Sequence, residues 1–288
     1  MRRRIFWMII VGVPLALITV AAGTAAALPA ARHLVSAWWN VPDRLPSLAG
    51  NGQIHFEPGA EDYAHDVAAL LPAAIARIEA AQGRPFARPV IVGVYATPEA
   101  YAVANASGSA GSVGVTFFGR VILSPALNYW PQHRRLPAIL THELSHAHIG
   151  GWVSTGDLRL PNWFKEGLAV MVSGGGGAEF VSEDEARGAI ERGETIAVDD
   201  TQSLSTLLLG VRYQRAPPRG TPSHLIVMAY RQAGMFVTYL HDSDTPGFDR
   251  MMNAVLDGRP FVEAVDTGYH RDVQSLWQKF AAVSADAK

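Results

Sequence analysis

Residues 141–146 read Thr141-His142-Glu143-Leu144-Ser145-His146, an H-E-x-x-H pattern set in an apolar-periodic segment. An α-helix turns about 100° per residue, so His142 and His146 stand about 40° apart on its surface and one turn apart along it. Two neutral imidazoles so placed can grip one Zn²⁺. Glu143, about 100° round from His142, can then reach a water that the metal has acidified towards a pKa of about 7. On the other side Leu140, Leu144 and Ala147 form an apolar stripe able to anchor the helix in a core. With 10 His in 288 residues, random order would produce the pattern in roughly one such chain in seventy, so the reading needs a further ligand.

That ligand is offered downstream. Residues 160–169 read L-P-N-W-F-K-E-G-L-A, in which Asn162 is placed to N-cap a second helix with Glu166 one turn in. Two neutral histidines on Zn²⁺ are best completed by one carboxylate, which leaves a fourth position for water. Nineteen residues lie between His146 and Glu166, enough for the second helix to turn back against the first.

H-E-L-S-H followed at this distance by W-F-K-E-G-L-A resembles the gluzincin zinc metallopeptidases, in particular the peptidase MA-like group related to thermolysin and the zinc aminopeptidases. The resemblance covers residues 53–284, with its specific motifs in these two blocks. It implies a thermolysin-like zincin fold with His142, His146 and Glu166 as zinc ligands and Glu143 as general base. The stretch A-Y-R-Q-A-G-M-F-V-T-Y-L, from Ala229, also looks like the helix that follows the glutamate block in that group, where a Tyr or His donates to the oxyanion. Tyr230 is the candidate here and His224 the reserve. A metzincin would need a third His at position 152, which is Trp152. The absence of a G-A-M-E-N-like block argues against an aminopeptidase proper.

Composition narrows the class. Hydrophobic residues make up 49% and charged residues 17%, ample material for a core in 288 residues. Lys+Arg (24) nearly balance Asp+Glu (26), so no basic footprint for nucleic acid is present. Cysteine is absent, which excludes disulfides, thiolate catalysis and Cys-based zinc sites and leaves His and carboxylate as ligands.

The first residues stand apart. Arg2-Arg3-Arg4 precede an uncharged run from Ile5 to Ala31, long enough to span a bilayer, with an A-x-A-like cleavage site at Ala25–Ala27. The arginines favour a cytoplasmic N-terminus with the rest exported. Residues 1–31 are therefore expected to be a signal or membrane anchor, and the protein to sit at the cell membrane with its domain extracytoplasmic, or to be secreted if cleaved near Ala27. Residues 32–52, with Trp38, Trp39, Pro42, Pro46 and Gly50 and no clear period, read as a linker, and the folded domain occupies 53–284.

Within that domain Glu61–Ala81 carries a 3.6-period stripe ended by Gly83, and Pro89–Tyr95 reads as a buried strand. Thr97 caps a short helix starting at Pro98, and 107–112 is a loop. Val113–Phe118 and Arg120–Ser124 form a hairpin about Gly119, which can lie along a cleft and pair with an extended substrate. Pro137 opens the H-E-x-x-H helix and Gly150-Gly151 closes it, while His148 faces away from the pair as a surface or helix-terminal His⁺. Gly174–Gly177 reads as a flexible loop, Ser182–Glu185 as a capping box opening a helix with a solvated acidic face, and Leu204–Leu209 as another short helix. Ser223–Leu240 is the longest helix, and Met251–Val283 a compact helical subdomain.

The expected fold is α+β: a small N-terminal mixed or antiparallel sheet packed on the H-E-x-x-H helix, then a mainly helical C-terminal subdomain. The expected activity is zinc-dependent hydrolysis of a peptide or protein substrate. The competing readings are a non-catalytic binding or assembly protein on the same scaffold, and a hydrolase of a non-peptide, cell-wall amide.

Overall fold

A computed structural model describes residues 29–153, 160–199, 210–215 and 217–286. The N-terminal run through Leu28, with its cleavage motif, and the helix expected at Leu204–Leu209 lie outside the described residues. Among the described residues no helix is long and apolar enough to cross a membrane.

The architecture is α+β. Five strands, β1 (Ser47–Leu48), β2 (Asn51–Phe56), β3 (Ile91–Val94), β4 (Gly114–Phe117) and β5 (Arg120–Leu123), form one sheet in the order β1-β2-β3-β5-β4. β2, β3 and β5 are mutually parallel, and β1 and β4 run antiparallel at the two edges. The parallel pairs follow from crossovers through α2 (Glu61–Gln82) and α3 (Pro98–Ala104), since parallel strands cannot be joined by a tight turn. α2 is Tyr63, Val67, Leu71 and Ile78 on its buried stripe, and left-handed Gly83 caps it. Thr97 caps α3 through the N–H of Ala100. The β4–β5 connection is Phe118-Gly119, both with positive φ (47° and 72°), as a two-residue hairpin whose twist matches its strands requires.

Strand alternation decides what faces the helices. In register, Ile54, Val92, Val121 and Thr116 stand side by side across four strands, and the three apolar members are fully buried in the main core. Against that face packs α4 (Leu136–Trp152), which carries the H-E-x-x-H motif. α4 is more central than an amphipathic reading suggests: polar Thr141, His142, Glu143, Ser145 and His148 are buried along with its apolar stripe. It also continues through Gly150-Gly151, which do not close it. His148 donates from Nε2 to the Arg84 carbonyl (2.8 Å) and Trp152 from Nε1 to that of Pro85 (2.9 Å), so the turn after α2 holds the last helical turn in place.

The second half is helical: α5 (Asn162–Ser173), α6 (Glu183–Glu191), α7 (Pro222–Ser243), α8 (Thr245–Leu256), α9 (Phe261–Tyr269) and α10 (Val273–Asp286). Trp163, Phe236, Phe261, Trp277 and Phe280 build its aromatic core, with Trp163–Phe236 and Phe236–Trp277 centroids 5.2 and 5.0 Å apart. Asn162 is the first residue of α5 rather than its cap, which is Pro161. Ser182 caps α6 through the N–H of Glu185.

The stretch 32–52, expected as a linker, is structured. α1 (Pro29–Trp39) packs against α3, and the 3₁₀ turn Pro42–Arg44 packs on β3. Asp43 is ion-paired with Arg120 at the start of β5.

Candidate metal and catalytic site

α4 projects His142 and His146 from adjacent turns, and α5 meets it with Glu166. The Nε2 atoms of the histidines are 3.2 Å apart, and Oε2 of Glu166 lies 3.3 Å from that of His142 and 3.5 Å from that of His146. Ligands about 2.0–2.1 Å from a tetrahedral ion stand about 3.3 Å from one another, so the three atoms have the spacing of one face of such a site. The chemistry agrees with the spacing. His142 donates from Nδ1 to the Gly176 carbonyl (2.8 Å), which turns its Nε2 towards the carboxylate. A positive charge among these three atoms, a metal ion or an imidazole proton, holds them together. His142, His146 and Glu166 therefore form a group that can hold a metal ion. Burial pushes the Glu166 carboxyl up, but the facing His146 and His142 more than offset this and hold it well below the ordinary carboxylate range.

The chain builds supports around His142 and Glu143. Glu143, next to His142, turns towards the sheet, where Thr116 Oγ1 lies 2.9 Å from its Oε2 and 2.7 Å from its main-chain carbonyl. β4 presents Gly114 on the same face two residues earlier, and there a Cβ would come within 2.9 Å of Glu143 Cγ. Behind the motif, Gln82 at the end of α2 donates to Ser145 Oγ (2.7 Å). The glycine run 174–177, expected to be a flexible loop, is a fitted one. Ser173 Oγ accepts from the N–H of Gly176, and a Cβ at 176 would lie 2.5 Å from the Ala138 carbonyl, so only glycine lets the loop bring its carbonyl to His142.

Tyr230, on α7, stacks on His142 with centroids 6.2 Å apart and planes 15° from parallel. Burial, then the charges of Glu166 and Glu143, push its phenol well above the ordinary value, so it stays a proton donor at neutral pH. α7 is brought close to α5 by two glycines. A Cβ at Gly167 would lie 2.5 Å from the Ala233 carbonyl, and one at Gly234 would overlap Val170.

His142, Glu143, His146, Glu166 and Tyr230 thus line one cleft of about 1180 Å³, along with β4 from Gly114 to Phe117. His224 does not join them; it pairs with Glu185 of α6 at 3.3 Å. His148 stays out of the group too, but it is not the surface or charged histidine that was expected. It is buried, its ring meets Phe86 edge-on at 4.9 Å, and burial lowers its pKa, which keeps it neutral. Thr116 and Gly176 are the supports that motif reading misses. The available signals were the period-two placement of Gly114 and Thr116 on one strand face and a glycine run too long for an ordinary turn.

A scan against protein-family models matches none, and searches of curated proteins and of solved structures find no match.

Proposed function

We propose that this protein is a zinc-dependent peptide hydrolase of the gluzincin type, with a thermolysin-like arrangement of sheet and helices, acting outside the cytoplasmic membrane. The observation that carries the reading is Glu143: a buried carboxylate, steered by Thr116, beside a three-ligand group in an open cleft. A site that only braced the fold would need the three ligands but no base, which favours catalysis over a silent scaffold.

His142, His146 and Glu166 would hold the ion, and when bound it supplies Lewis acidity, acidifying water and polarising a carbonyl. Glu143 takes the proton of the attacking water and delivers it to the leaving amine. Tyr230 donates its hydroxyl to the carbonyl oxygen as negative charge develops there. Gly176 keeps His142 in the tautomer that presents Nε2. β4 is an edge strand bordering the cleft, and its outer main-chain groups can align an extended peptide with little regard to sequence.

The test is metal analysis of the purified protein with Glu143→Gln alongside, both assayed on a peptide library. Wild type should carry one zinc per chain and hydrolyse peptides, and the variant should keep the zinc and lose the activity. A wild-type protein without stoichiometric zinc sinks the proposal, and an active variant removes Glu143 as base.

A further inference from the structure

α1 is built inside out. Ala37 is buried and the ring of His33 covers Gly108, so a small and a polar residue face the domain. Leu34, Val35, Trp38 and Trp39 point away from it, each between 49% and 59% exposed. Positions 34, 35, 38 and 39 fall on one helical stripe, the stripe that a helix of a water-soluble domain turns inwards. The apolar surface continues onto the β4–β5 turn, where Phe118, also exposed, meets Trp38 edge-on at 5.2 Å. Cations rim it: the Arg44 guanidinium lies over the Trp39 ring at 5.2 Å, and that of Arg88 lies beside Gly119 of the turn.

The chain preceding α1 indicates what covers this surface. Ile5–Ala31 is uncharged and, at about 1.5 Å per helical residue, long enough for a hydrocarbon core of about 30 Å. Trp39 stands eight residues beyond Ala31, about 12 Å further as a helix. Tryptophan and arginine just past an apolar span are the residues that settle at the headgroup level.

We propose that the outward stripe of α1 and the tip of the β4–β5 hairpin form a membrane-contact face, which seats the folded domain on the bilayer interface with Arg44 and Arg88 towards anionic headgroups. The hairpin serves two surfaces. Thr116 touches Glu143, and Phe118, two residues and about 7 Å along the strand, belongs to the contact face. One end of the cleft therefore opens at the bilayer surface. Resting on the hydrolase reading, this makes the substrate a bilayer-attached polypeptide, engaged close to where it leaves the lipid.

A chain without cysteine accepts single labels cleanly. The full-length protein, carrying Val35→Cys, Phe118→Cys or, on α10, Val283→Cys, is labelled with an environment-sensitive fluorophore and reconstituted into phosphatidylethanolamine–phosphatidylglycerol vesicles with spin-labelled lipid. Labels at 35 and 118 should be quenched severalfold more than at 283, and Trp39→Glu should reduce the quenching at 118. Quenching at 35 and 118 no greater than at 283 overturns the proposal. So does a blue-shift at those labels that disappears on dilution in lipid without lipid quenching, which would give the face to a second copy. For the substrate, Trp39→Glu should slow hydrolysis of a lipid-attached peptide severalfold and leave the same peptide in solution unaffected. An equal loss on both overturns the substrate step. A protein that hydrolyses neither peptide sinks the hydrolase reading, and the quenching result decides the contact face independently.

Discussion

Thr116 has one hydroxyl hydrogen, and both oxygens within its reach belong to Glu143. A hydrogen bond to a charged group contributes about 1.5–3 kcal/mol, so Thr116→Val should lower kcat by at least about tenfold while zinc content stays at wild type. A variant with normal kcat would show that Glu143 needs no support from the sheet. Tyr230→Phe removes a donor and little else, and loss of an oxyanion donor lowers kcat by about 10²–10³ with KM nearly unchanged. Steady-state kinetics on one peptide distinguish this from a packing role, which would appear in stability instead. Glu166→Ala should weaken zinc retention, measured by competition with a chelator, and leave the far-UV circular dichroism unaltered. At this scale the sequence was informative where geometry is local. One helical turn relates His142 to His146 whatever surrounds them, and charge balance pointed to Glu166. Thr116 and Gly176 act from 27 and 34 residues away through strand register and a fitted loop, which no local period encodes. His148 departs from its expected surface position for the same reason: it does face away from the site, but the turn at Arg84 that buries it comes from another element.

The approach of α5 to α7 sets how Glu166 and Tyr230 meet. Gly167 and Gly234 allow it, and Gly234→Ala forces a methyl into Val170. Overpacking of this kind destabilises by about 1–3 kcal/mol, and here it should also weaken zinc retention, because the helix carrying Glu166 must shift. Urea unfolding measures the first effect and chelator competition the second. Gly150→Ala should do the opposite. Gly150 lies inside α4 with nothing within 4 Å of an added Cβ, so the change should raise stability by roughly 0.4–1 kcal/mol. An unchanged or lower urea midpoint would contradict the helical assignment there. Glycine pairs normally end helices, and that rule was overridden by the two hydrogen bonds that dock His148 and Trp152. Elements with a clear period, α2, α7 and the β4–β5 hairpin, were legible in kind and nearly in extent. α1 escaped because its apolar residues do recur at helical spacing but face outwards, amid prolines and tryptophans that suggest irregular chain.

For the molecule as a whole, the sheet and α2 hold α4 from one side and the aromatic-cored helices hold α5 from the other, so the candidate metal group joins the two halves of the fold. The coarse α+β order could be read from the succession of periods. The mixed sheet order could not, because strand neighbours depend on which crossovers close. A metal held by residues 142, 146 and 166 would link them across a nineteen-residue segment in a protein that has no cysteine. An ion at this point would do for the chain what a disulfide does elsewhere: restrict the unfolded chain and add its binding energy to the folded one. Chelation should therefore lower the Tm by several degrees even for Glu143→Gln, which has no hydrolysis to lose. Thermal melts with and without chelator measure this, and an unchanged Tm would mean that the ion serves chemistry alone. If the ion is such a clasp, the protein's lifetime is set by the metal supply around it, and starvation for the metal would unfasten the fold as well as silence the site.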